Sequence, residues 1–405
     1  MNTSIGPDSQ IAERALHGRP LRILVAHNAY QWRGGEDAVR DAEITLLREA
    51  GHQVETLDRD NAEIEQMSKL TAARETLWSS RTTAVLRSRI QAFSPDIIHV
   101  HNSFPLLSPS LYWEAARGRV PVVQTLHNFR LLCPQAMFLR EDRICEDCLG
   151  KLPWRGVVRR CYRNSITQTA VVAAMLTGHR VVGSYTHKVT RYIALNQFSR
   201  SKFIEGGLPA DRISIKPNFV TIDDIDEGSR EGGLFVGRLS REKGIGVLLD
   251  ALSRLPLTSI DLIGDGPMRA EVTGRSELRA LGPLGKSDVL DAMRRASFLI
   301  VPSVWHEVMP LTVLEALACR LPVIASRSGA LAELIEDGRT GLLVEQGNAQ
   351  DLAEKIAWAE KHPESMRKMG ANARAEYEQK YTPHRNLERL TSIYHDAIAG
   401  RVLGR

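Results

Sequence analysis

Short β-rich apolar runs recur along the chain with helix-patterned segments between them, and this alternation leaves little freedom of fold. "LRILVAHN", "HQVETLD", "DIIHVHN" and "VPVVQTLHN" read as buried parallel strands, and the segments joining them as crossover helices. A doubly wound α/β domain follows for residues 21–220. The polar stretch "TIDDIDEGSREGG" reads as a linker. Beyond it a second series, "GLFVGRL", "SIDLIGDG", "SFLIVPS", "LPVIASR" and "TGLLVEQ", builds a second such domain over residues 221–385. The length of 405 residues suits two hydrophobic cores better than one. Residues 1–20 are expected to form a disordered tail. Residues 386–405, helical and charged, are expected to pack back on the first domain.

The net charge of +5 is unevenly spread, +8 over residues 1–220 and −3 over 221–405. Residues 151–200 hold nine basic residues and no acidic one. Such a patch suits phospholipid headgroups or a lipid-linked diphosphate. Nucleic acid is disfavoured, because neither base-stacking aromatics nor a recognition helix accompanies the patch; a solvated basic face is the plain alternative. The apolar runs fall short of the ~20 residues a bilayer requires, and the polar start "MNTSIGPDSQ" is unlike a signal peptide. A cytoplasmic protein is expected, with a peripheral hold on the inner face of the plasma membrane.

Ligands of open α/β sheets bind beyond the carboxyl ends of the strands. Three strands of the first domain end in the same dipeptide, His27-Asn28, His101-Asn102 and His127-Asn128, and all three pairs should face one crevice. Gly34 and Gly35 follow the first strand and admit close backbone approach to a ligand. In the second domain Arg238 follows a strand and Lys243 precedes a helix, fork and point charge together suiting a diphosphate. Pro310 should open a helix, with Glu307 just before it and Glu315 about one turn in. Two acids beside a helix N-terminus make sense if they hold hydroxyls next to a bound phosphate.

These motifs, "GRLSREKG", "IGDGP", "HEVMPLTVLEALACRLPVIAS" and "ELIEDGRTGLLV", resemble the signature series of retaining GT-B glycosyltransferases of family GT4, and "GGED" is similar to that family's glycine loop. The resemblance runs from about residue 21 to 390. It implies a GT-B fold, two Rossmann-like domains facing a central cleft, with a nucleotide-sugar donor on the second and an acceptor on the first. By position Arg238 and Lys243 would grip the diphosphate, Glu307 the hexose hydroxyls and Glu315 the ribose. Gly34, Gly35, Gly264, Val308, Met309, Pro310 and Leu311 would line the donor site, and Leu284 would meet the base. His127 matches the histidine beside the transferred sugar, and His27, His101, Asn102, Asn128 and Arg130 would face the acceptor. Family members often carry glycines after the first glutamate, where this chain has Val308 and Met309.

The implied reaction is transfer, with retention, from a UDP- or GDP-linked sugar to a glycan or polyprenyl-diphosphate-linked acceptor in bacterial cell-surface polysaccharide synthesis. Fixed positive groups stabilise the departing diphosphate, so no catalytic metal is expected. A nucleotide-sugar 2-epimerase and a non-catalytic nucleotide-sugar-binding protein are the alternatives. A dinucleotide oxidoreductase lacks its G-x-G-x-x-G fingerprint. Four of five cysteines, Cys133, Cys145, Cys148 and Cys161, fall within an insert at residues 130–165, at the mouth of the acceptor site. They suit a structural zinc, unligated thiols or a redox pair. Cys319 reads as a small buried residue.

Overall fold

The computed structural model describes residues 19–31, 34–223, 228–255 and 259–402. The expected tail falls almost wholly outside the described residues, as does the middle of the linker. The first domain strings together β1 (Arg22–Ala29), β2 (Gln53–Asp60), β3 (Ile97–Asn102), β4 (Val122–Leu126), the small hairpin β5 (Leu139–Arg140) and β6 (Arg143–Ile144), then β7 (Arg191–Ala194) and β8 (Ile213–Ile215). Six of these form a parallel sheet in the order β2-β1-β3-β4-β7-β8. The second domain carries β9 (Gly233–Val236), β10 (Ile260–Ile263), β11 (Leu278–Gly282), β12 (Phe298–Val301), β13 (Val323–Ser326) and β14 (Gly341–Val344), again all parallel, in the order β11-β10-β9-β12-β13-β14.

Strand order reverses between β1 and β3 in one sheet and between β9 and β12 in the other. A crevice therefore opens at the carboxyl ends of these four strands. The two-sheet α/β architecture agrees with the sequence reading, which lacks three strands of the two large sheets, β7, β8 and β11, and the small hairpin β5–β6. β8 has only three residues and β11 is an edge strand with Arg279, Ala280 and Leu281 exposed, whereas β7 is as long as most strands of the second sheet.

The last helix, Pro383–Val402, begins three residues before the expected boundary, because Thr382 accepts from the Arg385 N–H at 3.4 Å and Pro383 suits a first helical position. It lies on the first sheet. Leu390, Tyr394 and Ala397 are fully buried against Leu21, Ile23, Ile97 and Val123, with Ile44 and Leu47 of helix Gly35–Glu49 in the same cluster.

Under these two helices sits a polar cluster. His99 and His101, two apart on β3, point to the same face. The ring of His99 bonds Thr125 Oγ1 at 2.8 Å and Tyr394 Oη at 2.7 Å. Lys216, just past β8, bonds Glu43 of helix Gly35–Glu49, and both side chains are buried. Burial, opposed by Glu43 and reinforced by Lys216, holds the His99 imidazole down to about 4. Burial, with repulsion from the other histidines and Lys216, pushes His101 well below its ordinary range.

An unfolded histidine titrates near 6.5, so between about pH 6.5 and 4 the unfolded chain takes up a proton that the folded chain refuses. Stability should fall with pH through that window, by about 1.4 kcal/mol per pH unit for each such histidine. Calorimetry over a pH series should show the fall in Tm, and His99→Gln should flatten it. An unchanged slope in the variant would remove His99 from this account.

Candidate active site

Two loops meet where β9 and β12 end. After β9 the chain passes Gly237 and Arg238 into the 3-10 turn Arg241–Lys243; after β12 it runs from Pro302 to Glu307. Gly244 allows this approach, and Gly264 lets the turn after β10 close on the loop after β9. Gly244 has φ +76, and a Cβ there would lie 1.9 Å from the Pro302 carbonyl oxygen; Gly264 has φ +140, and its Cβ would lie 1.9 Å from the Gly237 carbonyl oxygen. The Val304 N–H donates to the Glu242 carbonyl at 3.0 Å and ties the loops together.

At this junction Glu307 is 4 % exposed, and a single oxygen, Oε1, receives three donors: Lys243 Nζ at 2.7 Å, Ser303 Oγ at 2.8 Å and Trp305 Nε1 at 2.9 Å. Lys243 Nζ also lies 5.3 Å from the centroid of the Trp305 ring, so its cation is held from two sides. Glu307 Oε2 makes no hydrogen bond to the described residues and is left to accept from a ligand. Arg238 is exposed at the end of β9 and forms no ion pair among the described residues.

Pro310 stands one position earlier than expected. Its backbone is extended and caps helix Leu311–Ala318, since a fixed φ suits either position and ψ alone decides. Glu315 is nonetheless about one turn in. Its half-buried carboxyl is pushed up by burial, with Lys286 opposing, and makes no hydrogen bond or ion pair among the described residues. Leu284 is 39 % exposed on the loop after β11.

Val308 and Met309 are buried, and their carbonyls face the first domain. The Val308 carbonyl accepts from Asn196 Nδ2, and that of Met309 from Asn218 Nδ2 at 3.3 Å. Beside them the Gln197 N–H donates to Glu333 at 2.9 Å. From the other side Gly35, first residue of its helix, comes so close to Leu311 that a Cβ would touch the leucine at 3.7 Å. The glycine pair of the first domain therefore abuts the N-terminus of helix Leu311–Ala318, whose first N–H groups have no partner within the helix.

The three His-Asn pairs do not share one fate. His27 and His101 are each 2 % exposed, because helix Gly35–Glu49 lies over them; His27 Nε2 meets Asp37 Oδ1 at 2.7 Å, and His101 faces Glu43. This burial corrects the expectation that both look into the crevice. Asn102 is buried too, its amide donating to the Asn28 carbonyl at 2.9 Å. His127 and Asn128 stay half-exposed. His127 Nε2 sits 3.0 Å from His101 Nδ1, and the Asn128 amide donates to Glu36 at 3.3 Å and to Tyr30 Oη at 3.2 Å. Burial pushes Glu36 up to about 8 against the hydrogen bonds from Tyr30 and Asn128. Arg130 lies over the rings of Phe104 at 4.4 Å and Tyr162 at 5.0 Å and donates to the Pro134 carbonyl.

All five cysteines are free thiols. Gly156 sits among them: its N–H donates to the Pro153 carbonyl at 3.1 Å, its carbonyl accepts from the Cys161 N–H at 3.0 Å, and a Cβ there would lie 3.1 Å from Pro134, next to Cys133. Burial and the charges of the other three push Cys148 up to about 11. Among the described residues only Glu43, His99 and His101 bring three ligand-type atoms within 4.8 Å of one another; the thiols are spaced more widely. Between Cys145 and Cys148, Glu146 bonds Lys202 at 2.7 Å and reaches His306 at 3.4 Å, one residue from Glu307.

Several of these partners lie outside the sequence reading. Ser303 and Trp305 stand within the motif around Glu307, but nothing in a linear pattern says that both turn to one oxygen. Asn196, Asn218, Glu43 and Lys216 carry no local signal. A cavity lined by Arg230, Glu231, Ser297 and Arg320 opens at the amino ends of β9, β12 and β13, the edge away from this junction.

Residues 228–376 match the family model described as Glycosyl transferases group 1, and residues 41–224 match Glycosyltransferase Family 4. Sulfoquinovosyl transferase SQD2 of Arabidopsis thaliana is 31% identical over 304 residues, 72% of this chain and 55% of that protein. An uncharacterized glycosyltransferase, MJ1178 of Methanocaldococcus jannaschii, is 33% identical over 177 residues, 42% of this chain. The chain spans about half the length of each of these two relatives. The fold is shared with sucrose-phosphate synthase (tll1590) from Thermosynechococcus elongatus, at 18% identity and a TM-score of 0.68 over 94% of this chain and 100% of that one. It is shared as well with Anabaena Alr3699/HepE in complex with UDP and glucose, at 19% identity and a TM-score of 0.64 over 92% and 99%. One family model on each lobe of this two-sheet fold places the chain among the GT-B glycosyltransferases of family GT4.

Proposed function

We propose that the chain moves a hexose from a UDP- or GDP-linked donor to a hydroxyl of a glycan or polyprenyl-diphosphate-linked glycan, with retention, in the assembly of bacterial cell-surface polysaccharide. The observation that carries this reading is the contact of Lys243 with Glu307 at the switch point of the second sheet. A diphosphate arriving there would share the Lys243 ammonium with Glu307 and meet Arg238 and the amides opening helix Leu311–Ala318. Glu307 Oε2 would accept from a hexose hydroxyl, and Glu315 from the ribose. In the reaction the bond from the anomeric carbon to the phosphate oxygen breaks, the electron pair leaving with that oxygen, as the acceptor oxygen bonds to the same face. The acceptor proton passes to the leaving phosphate, whose growing charge the fixed cations stabilise.

Lys243→Ala should leave the fold intact and lower kcat/KM by about a hundredfold or more with UDP- or GDP-sugars, as loss of a charge-stabilising donor does elsewhere. NMR of the product should show the donor's anomeric configuration. An inverted linkage would sink the retaining mechanism, and epimerised nucleotide sugar from a donor-only incubation would favour an epimerase.

The Cys-rich insert would take a structural zinc at Cys133, Cys145, Cys148 and Cys161. The donor set is right for it, but the thiols must draw together to close the tetrahedron. One zinc per chain is expected by elemental analysis of protein purified without added metal, falling in Cys145→Ser with Cys148→Ser. Metal-free protein of unchanged Tm would dismiss it.

No helix among the described residues is long and apolar enough to cross a membrane. A peripheral hold is the reading we favour. Arg180 donates to the Lys151 carbonyl at 3.0 Å, which brings exposed Val181 and Val182 beside exposed Leu152, Trp154 and Val158 among Arg155, Arg160 and Arg163. The protein should float with anionic liposomes and not with neutral ones, and failure to float at low salt would discard the idea.

A further inference from the structure

The polar cluster beneath the first sheet reaches His127 through a single ring. His101 Nδ1 is 3.0 Å from His127 Nε2, while His101 Nε2, on the opposite side of the ring, has no hydrogen-bond partner and lies 3.6 Å from Glu43 Oε2, which also has none. The two rings are stacked, with centroids 5.2 Å apart. Glu43 is anchored at its other oxygen by Lys216, and both are at most 1 % exposed. A divalent ion among Glu43, His99 and His101 would sit against the Lys216 ammonium, so the cluster is poorly suited to a metal.

The geometry points to a different role: Glu43, fixed by Lys216, acts as a positioning residue that sets the tautomer of His127 through His101 and leaves His127 Nδ1 as a hydrogen-bond acceptor for a hydroxyl of the bound sugar. The protons follow in order. A neutral imidazole carries one N–H and one lone pair. With the N–H on His101 Nδ1, the lone pair of Nε2 would face a carboxylate oxygen across 3.6 Å, two acceptors opposed in a buried site. With the N–H on Nε2, both orphaned atoms gain an attractive neighbour. At 3.6 Å this is charge against N–H dipole rather than a full hydrogen bond, but it is enough to order two tautomers. His101 Nδ1 must then accept, His127 Nε2 must donate, and the lone pair of His127 falls on Nδ1, which makes no hydrogen bond to the described residues. The charged and titratable groups facing His101 are Glu43 and Lys216, His99, which Tyr394 of the last helix holds from behind, His127, and His27 at 6.3 Å between ring centroids. Only Glu43 among them is an anion.

The role at the sugar rests on the proposed function, whereas the tautomer itself can be read without turnover. Long-range 1H–15N correlation on histidine-labelled full-length protein should show His101 and His127 both protonated at Nε2. His127 protonated at Nδ1 would overturn the proposal. In Glu43→Gln with Lys216→Met, which removes both charges together, His127 should shift to a mixture of tautomers; an unchanged pattern in the folded variant would also overturn it. The variant should raise the donor KM about tenfold, the value of one hydrogen bond. UDP and GDP should bind the variant as they bind the wild type. A nucleotide sugar whose KM does not move while the tautomer does would remove His127 from the sugar contact and leave the diphosphate site standing.

Discussion

A single carboxylate oxygen with three donors on it organises the loops at the carboxyl edge of the second sheet. Oε1 of Glu307 draws in Lys243 from the loop after β9, and Ser303 and Trp305 from the loop after β12. The two loops can approach because Gly244 accepts a backbone angle and a distance to Pro302 that other residues refuse. One cation and two neutral donors satisfy this oxygen of a nearly buried carboxylate and fix its orientation, while Oε2 makes no hydrogen bond to the described residues. Preorganisation of this kind is what a charge-stabilising site requires, since groups already in place need not reorient as charge develops.

The first domain solves a different problem. Its sheet carries histidines where most doubly wound sheets carry aliphatic side chains, and their cover comes from both ends of the chain. Helix Gly35–Glu49 supplies Asp37 and Glu43, and the last helix supplies Tyr394. A buried lysine–glutamate pair adds little net stability over apolar packing, yet removing one partner typically costs about 3–5 kcal/mol, so it enforces one arrangement rather than deepening the fold. The apolar residues around it, Leu390 and Ala397 on Ile23, Ile97 and Val123, hold the cluster dry.

How much of this was legible depends on the distance over which a signal must travel. Strands such as "GLFVGRL" and "SFLIVPS" announce themselves because full burial demands a near-continuous apolar run. β11 does not, being exposed over most of its length. Glu307 and Lys243 could be singled out from motifs although 64 residues apart, but the pairing of Glu43 with Lys216, 173 residues apart, and of His99 with Tyr394, 295 apart, has no local trace. The repeated His-Asn ending was correctly located at strand ends. Whether each ring faces solvent or protein is decided by a helix packed across it, which a strand pattern does not record.

The turn between Cys145 and Cys148 has one further implication. Glu146 leans from that turn onto Lys202 and His306, so the geometry of a cysteine pair is mechanically tied to the residue preceding Glu307. A change of state at these sulfurs would therefore act on a turn whose carboxylate already spans from Lys202 of the first domain to His306 of the second.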